Sequence, residues 1–128
     1  MFRAIVVDDE QLARDRILSL LKQDDEITVV GECSSGTEAI EQINTAKPDI
    51  VFLDIEIPDA NAFQVISEIN CPVRPYIIFV TAYIKYLKKQ QSDFEMAYLL
   101  KPFNTMRFNQ VLSSVKEKLS ECNDESGL

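Results

Sequence analysis

Four apolar segments of this sequence end in side chains that could do chemistry. They are Asp8, Asp9 and Glu10 after the first segment, Asp54 at the end of the third, Thr81 and Ala82 in the fourth, and Lys101 and Pro102 after the fifth. The carboxyl ends of parallel strands meet at one edge of a sheet, where ligands bind in such folds. If these segments are strands of one parallel sheet, the acids, the hydroxyl and the ammonium group share one shallow pocket.

The chemistry of such a pocket favours phosphoryl transfer beside a metal ion. Crowded carboxylates repel one another and persist only when a cation offsets their charge. Oxygen ligands without His or Cys nearby favour a hard cation, and Mg²⁺ is the abundant one that also accepts phosphate. Lys101 supplies a point charge for a phosphoryl oxygen, and Thr81 can donate a hydrogen bond to another.

Asp54 is the carboxylate that this arrangement leaves able to react. Facing a metal and a lysine, it could attack phosphorus and form an acyl phosphate. Judged from its own strand alone, Asp54 has an alternative role as the cap of the next turn. The other strand ends favour the nucleophile.

Length and charge exclude several classes of protein. The chain of 128 residues suffices for one domain, and 46% hydrophobic with 27% charged residues describes an ordinary soluble protein. The formal net charge of -8 argues against nucleic-acid binding by this domain, because phosphate backbones need clustered Lys and Arg. No apolar run could span a bilayer and no cleavable signal opens the chain, so we expect a cytoplasmic protein without a membrane partner.

Cysteine and histidine usage narrows the chemistry further. The three cysteines, Cys33, Cys71 and Cys122, lack a metal-binding or redox spacing, and we expect free thiols. Because the chain contains no histidine, His-based catalysis, His-ligated zinc and phosphohistidine on this chain are excluded.

Five strand-like segments alternate with helical ones along the chain. The predicted strands cover residues 3–9, 27–33, 49–54, 76–82 and 96–101, and they are rich in Ile, Val and aromatic residues. With five helices between and after them, right-handed crossovers produce an α/β fold, a three-layer doubly wound parallel sheet of five strands. We expect a polar tail or the start of a linker over residues 121–128.

Apolar spacing and capping residues predict the faces of the helices. In the first helix Leu12, Ile17, Leu20 and Leu21 are expected inward, with Arg14, Asp15 and Lys22 outward. Ser35 and Glu38 form a capping box for the second helix. Asn61 can cap the third, and Asn104 or Thr105 the last. The segment 84–94 is the weakest helix, since its apolar stripe is thin.

Together the motifs resemble the receiver domain of two-component response regulators. VVDDE, VFLDIEIP, VTA and LLKPF occur in that family's order and spacing, and the resemblance covers residues 2 to about 120. The segments LDIEIP, TAYIKY and YLLKPF are most similar to those of receivers in the LytTR (LytR/AlgR) group. The resemblance implies a flavodoxin-like, CheY-like fold with strand order 2-1-3-4-5.

The resemblance assigns a phosphoacceptor and a metal shell. Asp54 would accept the phosphoryl group, and Asp9 would be the direct Mg²⁺ ligand with Asp8 beside it, acting directly or through water. Asp54 and the backbone carbonyl of Glu56 would complete the protein's share of the shell.

The resemblance also assigns the residues that would contact the phosphoryl oxygens and those that would change conformation on phosphorylation. Lys101 would pair with the phosphoryl group, Thr81 would donate to it, and Ala82 would leave the approach open. The bond from Lys101 to Pro102 is expected to be cis. Tyr98 matches the family's switch aromatic, whose ring turns inward as Thr81 moves.

One departure concerns the loop before the third helix. The family usually places glycine where this chain has Ala62, and alanine cannot take a positive φ cheaply. The loop from Ile55 to Asn61 is therefore expected to differ in shape or stiffness, although no catalytic residue is lost. The segment KKQQSD is also more polar than the family's signalling face.

The expected function is a phosphorylation-dependent switch rather than an enzyme acting on other substrates. A sensor histidine kinase would donate the phosphoryl group, and a face of the fourth helix, fifth strand and fifth helix would then form a homodimer. Output would be transcription through a DNA-binding domain missing from this chain. The alternatives are a stand-alone receiver, a pseudo-receiver acting by protein contact, and an Asp-nucleophile phosphohydrolase, which would carry its nucleophile and acid on the first strand.

Overall fold

The computed structural model describes residues 1–57, 59, 62–82 and 96–126, without the side chains of 121–126. The predicted helix over 84–94 and the predicted cap at Asn61 lie outside this part of the chain. Cys122 and the polar segment KKQQSD do so as well, so that their expected states stay predictions.

A five-stranded parallel sheet forms the centre of the molecule. Its strands are β1 (Phe2–Val7), β2 (Ile27–Cys33), β3 (Ile50–Asp54), β4 (Tyr76–Thr81) and β5 (Met96–Leu100). They are arranged in the order β2-β1-β3-β4-β5, with every neighbouring pair parallel. The predicted doubly wound sheet and its strand order are confirmed.

The described ranges contain four helices. They are α1 (Gln11–Leu21), α2 (Gly36–Ala46), α3 (Ala62–Ser67) and α4 (Thr105–Ser126), the last of which corresponds to the fifth predicted helix. Within these ranges, none of the helices combines the length and the apolar character that crossing a membrane requires.

Alternation along the central strands divides the core into two layers. Ile50 and Phe52 of β3 face a cluster that includes residues of α1 and α4, whereas Val51 and Leu53 face one that includes residues of α2 and α3. All residues of β3 and β4 are buried because helices cover both faces of the sheet. This coverage explains why the two strands are continuously apolar up to Asp54 and Thr81.

The orientation predicted for the first turn of α1 is wrong. Leu12, expected inward, has 83% of its surface exposed, and Arg14, expected outward, is only 8% exposed. The guanidinium group of Arg14 is stabilised there by hydrogen bonds to the Asp8 carbonyl, Glu32 and Gln11. A buried charge is tolerated when it is fully hydrogen-bonded, which a pattern of apolar residues cannot reveal.

The ends of the helices agree in part with their predicted caps. The Ser35 hydroxyl accepts from the Glu38 amide at 3.2 Å, but the Glu38 carboxylate accepts from the Ser34 hydroxyl, so only half of the predicted box forms. Asn104 caps α4 by accepting from the Arg107 amide at 2.8 Å. The backbone of α4 stays helical through Ser126 and so enters the range 121–128, for which a polar tail or the start of a linker stays a prediction.

The glycine replacement that the sequence singled out falls at the start of α3. Ala62 is the first residue of this helix and is fully buried. Lys47 is the non-glycine residue with positive φ in the described part of the chain, so Ala62 carries no such strain. Alanine is therefore compatible with this position.

Removing the ring of Phe108 should test how strongly α4 stabilises the sheet. This ring is buried, and it stacks on Phe52 of β3 with centroids 5.7 Å apart. We expect Phe108→Ala to lower the free energy of unfolding in urea by about 3–5 kcal/mol, through lost burial and a cavity. On the same helix Met106 is 69% exposed, and the control Met106→Ala should change the free energy by less than about 0.5 kcal/mol. Equal losses in both variants would contradict this packing.

Candidate functional site

The carboxyl ends of four strands bring the predicted site residues together. Asp8 directly follows β1, Asp54 and Thr81 are the last residues of β3 and β4, and Lys101 directly follows β5. Parallel register aligns these ends, since Val7 pairs with Leu53, Asp54 with Val80, and Thr81 with Leu100. The convergence predicted from the sequence is thus observed.

Lys101 is the residue that joins these strand ends. Its Nζ atom donates to Asp8 Oδ2 at 3.0 Å and to Asp54 Oδ2 at 3.3 Å. Its backbone amide donates to the Thr81 carbonyl at 2.7 Å. The peptide bond between Lys101 and Pro102 is cis, the isomer that the resemblance implies.

Each of the two buried acids is oriented from both sides. Asp8 is 1% exposed and Asp54 is 5% exposed. Asp8 Oδ1 accepts from the Glu10 amide and Asp54 Oδ1 accepts from the Glu56 amide, both at 3.0 Å. Because one oxygen of each carboxylate is held by a turn amide and the other by Lys101, neither side chain is free to rotate.

Asp8 and Asp9, which follow β1, also form a cluster with Asp54 that is suited to a cation. Ligand oxygens of Asp8, Asp9 and Asp54 all lie within 4.8 Å of one another, with Asp9 on the exposed side. Glu56, two residues after Asp54, is exposed, but its carbonyl as a ligand stays a prediction. Such an oxygen-only set, two of whose carboxylates are buried, fits a hard divalent ion such as Mg²⁺.

The surroundings of Asp54 disfavour its ionised form, which added positive charge would stabilise. Burial and the nearby charge of Asp8 raise the pKa of Asp54 to about 6, against the opposing hydrogen bond from the Glu56 amide and the charge of Lys101. Burial alone would lower the pKa of Lys101, but the hydrogen bond to Asp8 and the charges of both acids outweigh it and raise that pKa. A divalent cation would therefore favour the ionised form of Asp54.

The two residues predicted to carry the switch lie on adjacent strands. Thr81 is buried at the end of β4, where its carbonyl accepts from the Lys101 amide. Tyr98 of β5 is 38% exposed, and its ring stacks on Phe79 of β4 with centroids 6.2 Å apart. The Tyr98 ring thus lies partly in solvent, and its inward turn stays a prediction.

Sequence reasoning missed a contact that ties the loop after β3 to α2. The Asp59 carboxylate accepts from the Gly36 amide at 2.7 Å, the Thr37 amide at 3.0 Å and the Thr37 hydroxyl at 2.7 Å. These hydrogen bonds, led by the one from the hydroxyl, lower the pKa of Asp59 to about 2. An acid after a proline and a Gly-Thr pair at a helix start are each common, so no signal in the sequence joins them.

Replacing Asp54 should make the metal-free protein more stable at neutral pH. Since the folded protein raises the pKa of Asp54 above its ordinary value, the stability it contributes is fully present below pH 4 and is lost as the pH rises through about 6. Asp54→Asn cannot ionise, so in EDTA its advantage in free energy of unfolding should grow between pH 4 and 7. One pKa unit corresponds to about 1.4 kcal/mol and water at the pocket mouth screens the charge, so we expect roughly 1–2 kcal/mol.

The control for this measurement is Asp25→Asn, which makes the same change at an exposed carboxylate between α1 and β2. Urea unfolding across the pH range should show no advantage developing in that variant. A difference between Asp54→Asn and the wild type that is independent of pH would contradict the assigned cause.

Known proteins resemble this chain over nearly its whole length. Residues 4–113 match the family described as Response regulator receiver domain. The transcriptional regulatory protein BtsR of Salmonella typhi is 36% identical over 121 residues, which cover 94% of this chain and 51% of BtsR. An uncharacterized response regulatory protein of Yersinia pestis is 40% identical over 119 residues, covering 93% of this chain and 50% of that protein. The chain therefore spans about half the length of these relatives.

Solved structures agree with the family match. The response regulatory domain of protein mrkE from Klebsiella pneumoniae has a TM-score of 0.76 at 25% identity, and 93% of this chain covers 98% of that one. The response regulator domain of Thermotoga maritima CheB, at 24% identity and a TM-score of 0.72, covers 94% of this chain with 95% of its own and supports the fold alone. The match over residues 4–113 and the similarity to BtsR establish that the chain belongs to the receiver domains of two-component response regulators.

Proposed function

We propose that Asp54 accepts a phosphoryl group from the phosphohistidine of a sensor histidine kinase. The observation that carries this proposal is the bridge from Lys101 Nζ to both Asp8 Oδ2 and Asp54 Oδ2 beside the acidic cluster. A lysine held on the acceptor carboxylate is positioned to meet the oxygens of an incoming phosphoryl group. Asp8 shares this lysine, so the choice of Asp54 as the acceptor is supported by its place in the motif VFLDIEIP at the end of β3.

In the proposed step a carboxylate oxygen of Asp54 bonds to phosphorus as the P–N bond of the donor breaks. The departing imidazole keeps the electron pair of that bond and takes up a proton, which leaves an acyl phosphate on Asp54. The Lys101 ammonium group neutralises one phosphoryl oxygen, and the Thr81 hydroxyl donates to another. The Glu56 amide keeps the carboxylate oriented through Oδ1.

The same pocket is proposed to hold Mg²⁺. Asp8, Asp9 and Asp54 would supply carboxylate oxygens and Glu56 its backbone carbonyl, in keeping with the oxygen-only cluster. When bound, the ion supplies positive charge that offsets the acids and the phosphoryl oxygens. Asp8 and Asp9 would help to hold the ion, and Lys101 would then be able to pair with the phosphoryl group.

The proposed signal passes from the pocket to the edge of the sheet at β5. Thr81 and Tyr98 lie on neighbouring strands, and Phe79 stacks on Tyr98 from β4, so that a shift of Thr81 can change the ring's environment. The face that responds would combine the predicted helix over 84–94, which lies outside the described residues, with β5 and α4. This face is proposed to form a homodimer.

The output is proposed to be transcription regulation in the cytoplasm. Relatives that carry the name transcriptional regulatory protein are about twice as long as the match, which supports a DNA-binding output domain in the full protein. The motifs LDIEIP, TAYIKY and YLLKPF support an output of the LytTR type. We further propose that the chain is not an enzyme on other substrates and catalyses only its own phosphorylation and dephosphorylation.

Intact-mass spectrometry after incubation with acetyl phosphate tests the acceptor. Wild-type protein should gain one phosphoryl group in Mg²⁺ and none in EDTA, and Asp54→Asn should gain none, because its amide is a poor nucleophile. The control Asp49→Asn changes an acid at the opposite end of β3, where Asp49 accepts from the Arg3 amide, and it should still be phosphorylated. Loss of the adduct in both variants would point to misfolding instead.

Two results would overturn this proposal, and each would support a different function. No adduct on folded wild-type protein, with acetyl phosphate and with a phosphorylated kinase, would leave a pseudo-receiver that acts by protein contact. Continuous release of inorganic phosphate from a small phosphate ester, beyond one equivalent, would indicate a phosphohydrolase.

Phosphorylation should raise the affinity of the homodimer, because the charge added at Asp54 biases the arrangement of Thr81 and Tyr98. Light scattering with and without a phosphoryl mimic such as beryllofluoride should show a larger mass in its presence. Asp54→Asn should keep one mass under both conditions. The same mass for wild-type protein throughout would count against dimerisation as the output.

A further inference from the structure

Arg14 is a buried cation behind the acidic pocket that the proposed function does not use. Its guanidinium engages all three nitrogen positions: Nη1 donates to the Asp8 carbonyl at 2.6 Å, Nη2 to Gln11 Oε1 at 2.6 Å, and Nε to Glu32 Oε1 at 3.0 Å. Because a planar guanidinium holds its donors in a fixed fork, the three contacts set its orientation.

The contact with Asp8 lies at the peptide bond that joins two proposed metal ligands. The Asp8 carbonyl belongs to the planar peptide unit between Asp8 and Asp9, so holding that oxygen fixes the plane from which both side chains extend. The Asp8 amide is held in turn, since it donates to the Cys33 carbonyl at 3.1 Å. The backbone of Asp8 is therefore clamped between β2 and α1.

We infer that Arg14 is a positioning residue for the divalent-cation site, which holds the Asp8–Asp9 peptide so that both carboxylates reach one ion. This inference rests on the proposed function, because it concerns the same site. Arg14 touches neither the ion nor the phosphoryl group, and it acts through the backbone of the acids. Groups that orient metal ligands in this way commonly change metal affinity by about 10–100-fold when they are removed.

The sign of the change separates positioning from simple charge. The Arg14 charge repels a divalent cation, so if charge alone mattered, its removal would tighten Mg²⁺ binding. If Arg14 positions the acids, its removal must loosen Mg²⁺ binding despite the gain in negative charge. A purely structural tether would lower stability and leave the affinity for Mg²⁺ unchanged.

Calorimetric titration with Mg²⁺, without any phosphodonor, measures this effect. We expect Arg14→Met to raise the dissociation constant about 10-fold, and Arg14→Lys, which keeps the charge and one donor, to raise it less. Gln11→Met removes the Nη2 partner without a change of charge and should also weaken binding, by a smaller factor. The control Ile43→Val trims a fully buried side chain of α2, and it should lower stability while keeping the wild-type affinity.

A second measurement needs no metal at all. The Glu10 amide donates to Asp8 Oδ1, so in EDTA its hydrogen exchange should be faster in Arg14→Met than in wild-type protein and unchanged in Ile43→Val. Should Arg14→Met not fold, Gln11→Met provides both measurements on a variant of an exposed residue.

The outcomes are distinguishable. An unchanged or lower dissociation constant in Arg14→Met and Gln11→Met overturns the inference about Arg14 and leaves the proposed phosphoacceptor intact. If folded wild-type protein binds no Mg²⁺, the proposed metal site and this inference both fail. Weaker binding in the Arg14 and Gln11 variants, with wild-type affinity in Ile43→Val, supports the inference.

Discussion

The ion pair between Lys101 and the two buried acids is the interaction on which the rest of the site depends. Asp8 and Asp54 carry like charges into the edge of the core, and such charges are tolerated only when a cation compensates them. Lys101 reaches both from the end of β5, at 3.0 and 3.3 Å, and thereby links three strand ends. The pocket is consequently held together by contacts within this chain.

This compensation is incomplete, and the imbalance that remains falls on Asp54. Burial and Asp8 still raise the pKa of Asp54 to about 6, so the ionised form of this carboxylate is less favourable in the pocket than in water. A divalent cation and a phosphoryl group would relieve different parts of that imbalance. The same acidic residues that would bind a cation therefore reduce the stability of the domain when no cation is bound.

The helical layers on either side of the sheet position the side chains of the pocket. Alternating residues of β3 are divided between the two cores, which fixes the depth at which Asp54 emerges. Arg14 supports the acid pair from α1, and Asp59 connects the loop after β3 to α2 through three hydrogen bonds. Residues of α1 and α2 thus hold Asp8 and Asp59, which follow the ends of β1 and β3.

The sequence by itself determined the strands, the doubly wound sheet and the convergence of Asp8, Asp54, Thr81 and Lys101. The reason is that runs of apolar residues mark buried strands locally, and the carboxyl ends of parallel strands always meet at one edge of the sheet. Only the tertiary structure decided that Asp8 is buried while Asp9 is exposed, and that Arg14 replaces Leu12 at the inner face of α1. The reason is that the partners of Arg14 and Asp59 come from other elements, such as Glu32 and Gly36, and hydrogen bonds across such separations leave no periodic trace in the chain.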